Sequence, residues 1–284
     1  MKKIAVFNRK GGVGKTTLAV NIASVMTEYF GKSVLVVDCD SQCNSTDFLI
    51  GSQSKESIKD TLFDAFSNPD DFSELNIIHT AKFQKRELVV KKDKSGNILK
   101  RAYKLKTVSI DFIPASQDID WLPIDNISIL DNLLKYIEEE YGPYDYCILD
   151  CAAYLMPLTL NGMATADYML VPVCPQTDSF KGLSLIFDTL NRIREKGINL
   201  NLKVLGFVLN NVSEQASLKK YLVNLTREQL GNAVVFENQI HSSQAFDDAR
   251  IECAPINVCS GRNKKVILEM KKVVKEMLVR LEKE

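Results

Sequence analysis

The sequence predicts an α/β fold, with a doubly wound, mostly parallel sheet flanked by helices. Apolar runs of strand length alternate with amphipathic runs of helix length almost to the end of the 284 residues. The strand runs are apolar without strict alternation, which is typical of a parallel sheet covered on both faces. A glycine-rich segment joins the first strand run to the first helix run. The β-α-β-α order then implies right-handed crossovers.

The predicted elements follow one another along the chain. Strands are predicted at 4–7, 34–38, 108–113, 146–150, 169–173, 204–209 and 233–236. Helices are predicted at 18–26, 130–141, 183–196, 218–230 and 263–283. Because no repeat, low-complexity tract or linker divides the chain, we expect one domain over residues 1–284.

Composition narrows the class of protein. Hydrophobic residues at 45% and charged residues at 25% are ordinary for a globular protein. There is no apolar run of 18 residues and the chain begins with a strand, so neither a spanning helix nor a signal peptide is expected. The seven cysteines, an odd number mostly beside strand runs, predict reduced thiols and a cytoplasmic location. No Cys-x-x-Cys pair occurs, so no metal besides Mg²⁺ is expected.

The glycine-rich segment has the pattern of a phosphate-binding loop. It consists of Lys10, Gly11, Gly12, Val13, Gly14, Lys15, Thr16 and Thr17. Glycines allow backbone N–H groups to wrap a polyphosphate, and the helix N-terminus adds positive partial charge. Lys15 is expected to reach the β- and γ-phosphates, and the Thr16 hydroxyl to ligate Mg²⁺. The sequence therefore predicts binding of a nucleoside triphosphate.

Lys10 is an additional lysine at the front of this loop. An ordinary phosphate-binding loop does not need it. From the entrance of the loop its side chain could reach a phosphate held by a second subunit, where a cation stabilises the charge that develops during phosphoryl transfer. The alternative is a solvated lysine, and the residues alone favour neither.

With this lysine, the loop resembles the deviant Walker A box of the ParA/MinD family of dimerising ATPases. Residues 34–46 resemble the second acidic box of the family, 144–151 its Walker B strand, and 167–183 the strand and helix that follow. The resemblance, closest to ParA (Soj-like) partitioning ATPases, implies a P-loop NTPase fold of the deviant Walker A type. It also implies ATP and Mg²⁺ as cofactors, ATP hydrolysis, and an ATP-state homodimer in which Lys10 contacts the nucleotide of the partner.

Three aspartates are candidates for the chemistry. Asp150 ends an apolar strand, the position at which a Walker B carboxylate meets Mg²⁺ directly or through its water. Asp38 and Asp40 are two residues apart and so point to one side of an extended chain. The resemblance implies that Asp40 orients the attacking water and that Asp38 supports the Mg²⁺ shell. For Asp38, a turn or helix cap remains an alternative.

The chain departs from the family pattern beside these acids. Ser41, Ala152 and Ala153 stand where the family usually has proline. We expect these changes to loosen the loop rather than to alter the chemistry. The resemblance also places a polar contact to adenine near the end of the strand at 204–209, and we choose Asn211 over Asn210 for this role. A simple asparagine turn is the alternative.

The segment 82–106 is strongly basic, with ten Lys/Arg residues against two acids, while the whole chain has no net charge. A turn signal at 93–97 predicts a β-hairpin insertion here. Such a ribbon could lie along a nucleic-acid backbone. It could also be a solvated hairpin whose lysines protect a sheet edge, or dock a protein partner.

The resemblance further implies non-specific binding of double-stranded DNA in the ATP state, stimulation by a ParB-like adaptor protein, and association with the nucleoid. The candidate DNA contacts are Arg192, Arg194, Lys196, Lys219, Lys220, Arg250, Arg262, Lys264 and Lys265. The cargo, whether plasmid, chromosome or protein assembly, is set by the adaptor and is not encoded in this pattern. A cluster-carrying redox ATPase is a further alternative, which the cysteine spacing disfavours.

The last predicted helix could pack on the protein core or lie on a membrane surface. Its apolar residues recur at helical spacing with lysines between them, a pattern that also occurs in interfacial helices. The helix has no aromatic residue and contains interleaved glutamates. We therefore expect it to pack on the core, and a MinD-like membrane-associated positioning ATPase is the alternative function.

Overall fold

The computed structural model describes residues 1–51, 57–92, 98–175, 179–213, 217–231, 233–259 and 264–283. In these residues the strands form one seven-stranded sheet with the order β3-β4-β2-β5-β1-β6-β7. The strands are β1 Lys2–Val6, β2 Val34–Cys39, β3 His79–Lys92, β4 Ile98–Ile113, β5 Tyr146–Cys151, β6 Tyr168–Val173 and β7 Lys203–Leu209. All neighbouring pairs are parallel except the antiparallel pair of β3 and β4.

Helices cover both faces of the sheet. They are α1 Lys15–Phe30, α2 Asn44–Ile50, α3 Leu62–Ser67, α4 Ile129–Tyr141, α5 Pro157–Thr165, α6 Ser179–Glu195, α7 Ser217–Leu230, α8 Ala245–Ile251 and α9 Lys264–Lys283. A 3₁₀ helix, Gln117–Trp121, follows β4. Alternate residues of β1 belong to opposite core layers: Ala5 packs with α4 and α5, and Ile4 packs with α1 and α9. The doubly wound fold predicted from the sequence is confirmed.

The apolar stripe of α9 is buried in the second of these layers. Seven of its residues, Val266, Met270, Val273, Val274, Met277, Leu278 and Leu281, are buried and pack in the same cluster as the apolar face of α1. The expectation of core packing is confirmed. No helix in the described part of the chain is long and apolar enough to cross a membrane.

The strand predicted at 233–236 is wrong. Only an isolated parallel bridge joins Phe207 to Val235. The guanidinium of Arg280 donates hydrogen bonds to the carbonyls of Ala233 and Val235 at 3.2 and 3.0 Å. Beside them, Gly206 lies at the register shift between β6 and β7 with φ +149°. On the β7 side, the Phe207 N–H donates to the Val234 carbonyl and the Phe236 N–H to the Phe207 carbonyl, each at 2.9 Å, and the pairing is limited to this bridge beside the irregular Gly206.

The predicted hairpin is present and is longer than expected. The strand predicted at 108–113 is the end of β4, and β3 and β4 pair from His79–Phe112 to Lys92–Ile98. The turn predicted at 93–97 lies outside the described residues. The short helices α2, α3, α5 and α8 were not predicted, because each is too short to show a helical period in the sequence.

Candidate functional site

The phosphate-binding loop connects β1 to α1, which begins at Lys15. Gly12 and Gly14 have φ angles of +73° and +85°, in the left-handed region that favours glycine. A Cβ atom on Gly11 or Gly12 would meet no atom within 4 Å. The loop is therefore open on the side where backbone N–H groups can bind a polyphosphate.

Two asparagines brace this loop. Asn210, which follows β7, donates a 2.8 Å hydrogen bond from Nδ2 to the carbonyl of Val13. Any side chain at Gly14 would place its Cβ 2.5 Å from that same nitrogen. Asn8 accepts from the Lys10 N–H at 2.9 Å and donates to the Pro172 carbonyl at 2.8 Å. Neither bracing role was predicted from the sequence, although each asparagine lies just beyond the end of a strand.

Asp38 and Asp150 form the acidic centre of the site. They are register partners on the neighbouring strands β2 and β5, and each is 1% exposed. Burial raises the pKa of Asp38 to about 6. Burial and the charge of Asp38 raise the pKa of Asp150 to about 8. A cation bound beside this pair would lower both pKa values and so favour the ionised carboxylates.

The residues around Asp150 fit Mg²⁺. Its Oδ2 is buried and has no hydrogen-bond partner among the described residues, as expected of a metal-facing oxygen. The Thr16 hydroxyl hydrogen-bonds to the Asp150 carboxyl, which opposes the rise in pKa. Threonine and carboxylate oxygens are ligands that Mg²⁺ prefers, usually together with phosphate oxygens. Thr16 and Asp150 would hold the ion beside the loop, where it neutralises charge on a nucleoside triphosphate.

Lys15 lies against the same acids. Burial lowers the pKa of its ammonium, while the charges of Asp150 and Asp40 oppose that change. The structure thus brings Lys15, Thr16, Asp40 and Asp150 together at the carboxyl ends of the strands. A cation at this position can stabilise negative charge on the transferred phosphoryl group.

Asp38 also caps α2. Its Oδ2 accepts hydrogen bonds from the N–H and the hydroxyl of Thr46, at 2.8 and 2.7 Å. Its Oδ1 accepts from the Asp40 N–H at 3.2 Å. The capping role that the sequence left open is therefore present, and participation of Asp38 in the Mg²⁺ shell stays a prediction.

Asp40 lies in the turn between β2 and α2 and is partly exposed. Its Oδ1 accepts from the Gln42 N–H at 3.0 Å, and its carbonyl accepts from the Cys43 N–H at 2.9 Å. This local turn holds the loop without the proline that Ser41 replaces. An exposed carboxylate next to Lys15 is suitably placed to orient water, and this role remains a prediction.

Lys10 begins the loop, and Asn211 follows Asn210 after β7. Lys10 is partly exposed, and its charge opposes the effect of burial, which raises the pKa of the Cys174 thiol. Asn211 is exposed and left-handed, with φ +54°. Since the Asn210 amide already binds the Val13 carbonyl, the exposed Asn211 remains our choice for the adenine contact.

The proposed DNA contacts outside the hairpin are scattered. Arg192, Lys196, Arg250, Lys264 and Lys265 are exposed. Arg194 donates a 3.3 Å hydrogen bond to the Leu202 carbonyl. The side chains of Lys219 and Lys220, and residue Arg262, lie outside the described part of the chain.

The fold and the loop define a nucleotide-binding protein of the P-loop class. A family model described as an AAA domain matches residues 1–204. The chain belongs to that family, and within it to the ParA/MinD-type ATPases that bind ATP and Mg²⁺.

The chain is similar to several known proteins. The uncharacterized protein MJECL24 of Methanocaldococcus jannaschii is 30% identical over 77% of this chain and 76% of its own. The chromosome partitioning protein ParA of Caulobacter vibrioides is 28% identical over 82% of this chain and 78% of its own. The structure of cobyrinic acid a,c-diamide synthase from Mycobacterium smegmatis with ADP and magnesium has a TM-score of 0.70 at 20% identity, covering 99% and 95% of the two chains. This last likeness concerns the fold alone.

Proposed function

We propose that this protein is a ParA-like partitioning ATPase. It forms an ATP-sandwich dimer, binds DNA without sequence preference in that state, and releases the DNA after hydrolysis. A ParB-like adaptor stimulates hydrolysis and delivers the cargo. The similarity to a chromosome partitioning protein supports this function.

One observation carries the proposal: the P-loop, its additional lysine and the buried acids lie at a single sheet edge. Asp38 and Asp150 are register partners, and the charges of Asp150 and Asp40 act on Lys15. Lys10 stands at the entrance of the same loop and is partly exposed. If a second copy faced this edge, Lys10 of the first copy would contact the nucleotide bound by the second.

The switch follows from which group the two copies share. In the sandwich, the γ-phosphate contacts Lys15 of its own protomer and Lys10 of the facing one. Hydrolysis separates this phosphate from the nucleotide, so the contact that joins the protomers is lost. Asp40, beside the transferred group, orients the water that attacks it.

The buried stripe of α9 argues against the membrane-associated alternative. An interfacial helix needs an exposed apolar face, whereas the apolar stripe of α9 packs in the core beside α1. With DNA bound in the ATP state, the protein would associate with the nucleoid.

The test is binding to a dense carpet of random-sequence duplex DNA, with a slowly hydrolysed ATP analogue or with ADP, at two salt concentrations. We expect binding with the ATP analogue that weakens steeply with salt, because phosphate contacts release counterions. Equal binding in both nucleotide states, or none, would contradict the proposed function.

The Asp40→Ala variant supplies the matched control. It should bind ATP and remain on the DNA carpet with ordinary ATP, because the water is no longer oriented. Hydrolysis at the wild-type rate in this variant would contradict the role of Asp40.

A further inference from the structure

The basic hairpin consists of residues 82–92 of β3 and 98–106 of β4. It contains nine Lys/Arg residues and one acid, Glu87, in a chain whose total charge is zero. The rest of the protein is therefore acidic overall. An uneven distribution of this size marks the hairpin as a surface for a polyanion.

The hairpin extends away from the nucleotide edge. β4 pairs with β2 only through its last residues, from Leu35–Asp111 to Val37–Ile113. The earlier residues of β4 therefore run beyond the start of β2. They lie at the amino ends of the parallel strands, whereas the P-loop lies at the carboxyl ends. From Lys106 to Ile98 the ribbon reaches about 26 Å farther, at about 3.3 Å per residue.

Glu28 anchors the base of this ribbon. Lys85 and Lys106 are opposite each other in the ladder, and both form ion pairs with Glu28 Oε1, that of Lys106 at 3.3 Å. The Glu28 side chain is 1% exposed, and the Asn257 amide donates to its Oε2 at 2.7 Å. These two lysines thus fix the hairpin to the end of α1, so the ribbon is a directed arm.

Beyond the anchor, one exposed face of the ribbon carries a cation beside large apolar side chains. Arg86 is exposed and pairs with Leu105, which is 62% exposed. Tyr103, two residues along the same strand face, is 72% exposed. Lys82 lies on the same face but nearer the sheet than the anchor, whereas the exposed Lys104 pairs with Glu87 on the opposite face, and the register pairs Lys91 with Lys100 farther out. A hairpin that only protects a sheet edge needs a short strand and a few lysines.

We propose that the basic hairpin is a duplex DNA-binding arm of this protein. A two-stranded ribbon fits the major groove, which is about 12 Å wide, and the cations on its two faces then reach the phosphates on both sides. Tyr103 and Leu105 contact the groove walls. This inference rests on the proposed function, because it identifies the surface through which the ATPase holds DNA.

The position of the arm explains how ATP controls its use. The arm is remote from the nucleotide, so ATP does not alter it directly. A dimer joined through the nucleotide edges carries two arms at its far ends. On densely packed DNA both arms bind, and the residence time rises through bivalency without any new contact.

Two variants test the arm. In the first, residues 88–103 are replaced by Asn-Gly, a type I′ turn that joins Glu87 to Lys104 and keeps the contacts of Glu28. The second carries Lys82→Gln, Arg86→Gln and Lys104→Gln in the full-length hairpin. The control for position, with Arg192→Gln, Lys196→Gln and Arg250→Gln, removes the same number of exposed charges from the candidate DNA contacts outside the hairpin.

We expect both hairpin variants to hydrolyse ATP and to dimerise like the wild type. Their affinity for the DNA carpet should fall at least about tenfold at ~0.1 M salt. In the triple variant, the slope of log affinity against log salt concentration should become smaller in magnitude by about three for each arm. The control should change the affinity less than about threefold.

Unchanged DNA affinity and salt slope in both hairpin variants would contradict the proposal that the hairpin binds DNA. If the control lost binding instead, DNA would be held elsewhere and the proposed function would stand. Loss of adaptor stimulation with DNA binding intact would also overturn the proposal, in favour of a protein-docking hairpin. Failure of the wild type to bind DNA with either nucleotide would refute the proposed function and the arm together.

Discussion

Buried carboxyl groups lie at both ends of the parallel strands, but their surroundings differ. At the nucleotide edge, the buried carboxyls of Asp38 and Asp150 oppose each other, and Asp150 Oδ2 has no partner among the described residues. At the other edge, buried Glu28 is satisfied by Lys85, Lys106 and Asn257. The carboxyls of Asp38 and Asp150 are stabilised when a cation binds beside them. The Glu28 carboxylate already has its partners in the protein without ligand. A binding site and an anchor can be distinguished on this basis.

The largest expected effect is at Lys15. We predict that Lys15→Ala lowers ATP hydrolysis by at least about 100-fold, because it removes the charge beside the transferred phosphoryl group. The variant should also lose the rise in Tm that ATP and Mg²⁺ give the wild type. Steady-state hydrolysis and thermal unfolding measure both effects.

Lys135→Ala is the matched control for this prediction. Lys135 forms an exposed ion pair with Asp131 at 2.8 Å, far from the loop in sequence, and its removal should change neither property. If Lys15→Ala kept its response to ATP, the nucleotide would not be held by this loop.

The second prediction concerns the pH dependence at Asp150. Its folded-state pKa is raised to about 8, so its contribution to stability is present below the unfolded pKa of about 4 and is lost as the pH rises to about 8. Without nucleotide, Asp150→Asn should therefore be more stable than the wild type at pH 8, by about 2–4 °C in Tm for each kcal/mol. The difference should shrink toward pH 5.

Addition of Mg²⁺ and ATP reverses this order. The wild type should gain stability, because the ion compensates the carboxylates, while Asp150→Asn should gain much less. Thermal unfolding across pH 5–8 measures both effects, with the exposed Asp120→Asn as control. A wild type that becomes more stable than Asp150→Asn as the pH rises without nucleotide would contradict a raised pKa of Asp150.

The third prediction concerns the anchor. Glu28→Gln should lower the free energy of unfolding by about 1–3 kcal/mol at pH 7, because it weakens charge-assisted hydrogen bonds to a buried group. Burial raises the pKa of Glu28, but hydrogen bonds from Lys85 and Asn257 lower it, and the net shift is downward. Its contribution is therefore present above the unfolded pKa and is lost as the pH falls through the lower folded pKa.

Denaturant unfolding of both proteins at pH 7 and in acid measures this effect. Nucleotide binding should not change in Glu28→Gln, since the anchor lies at the other edge of the sheet. Equal stability of the two proteins at pH 7 would show that Glu28 does not hold the hairpin.

The smallest expected effect separates the two asparagines after β7. Asn211→Gly keeps the left-handed backbone and removes the carboxamide, so the preference for ATP over GTP should fall about three- to tenfold. Asn210→Ala should instead weaken both nucleotides, because it releases the carbonyl of Val13. Competition binding with ATP and GTP measures this, and an unchanged preference in Asn211→Gly would contradict an adenine contact.

Much of the architecture follows from local pattern. The central strands are continuous apolar runs and the long helices have a clear period, so both were predicted within a few residues. Asp38 and Asp150 end such strands, and their meeting at one edge follows from parallel topology alone. The P-loop is readable because its glycines and lysine serve one local geometry.

The remaining features depend on contacts between residues distant in sequence. Arg280 binds the carbonyls of Ala233 and Val235 from the other end of the chain. Asn210 braces Val13 across almost the whole sequence. Glu28 selects two lysines of the hairpin, which the sequence presents as part of a uniform basic run. Propensity and periodicity carry no information on such pairs.

The most direct test of the account is the mass of the protein in solution, measured by sedimentation with Mg²⁺ and either a slowly hydrolysed ATP analogue or ADP. We predict a dimer with the ATP analogue and a monomer with ADP. Lys10→Gln should bind the analogue and remain monomeric. A wild type that stays monomeric in both states, or a Lys10→Gln variant that dimerises normally, would contradict the claim that two copies close on ATP through this edge.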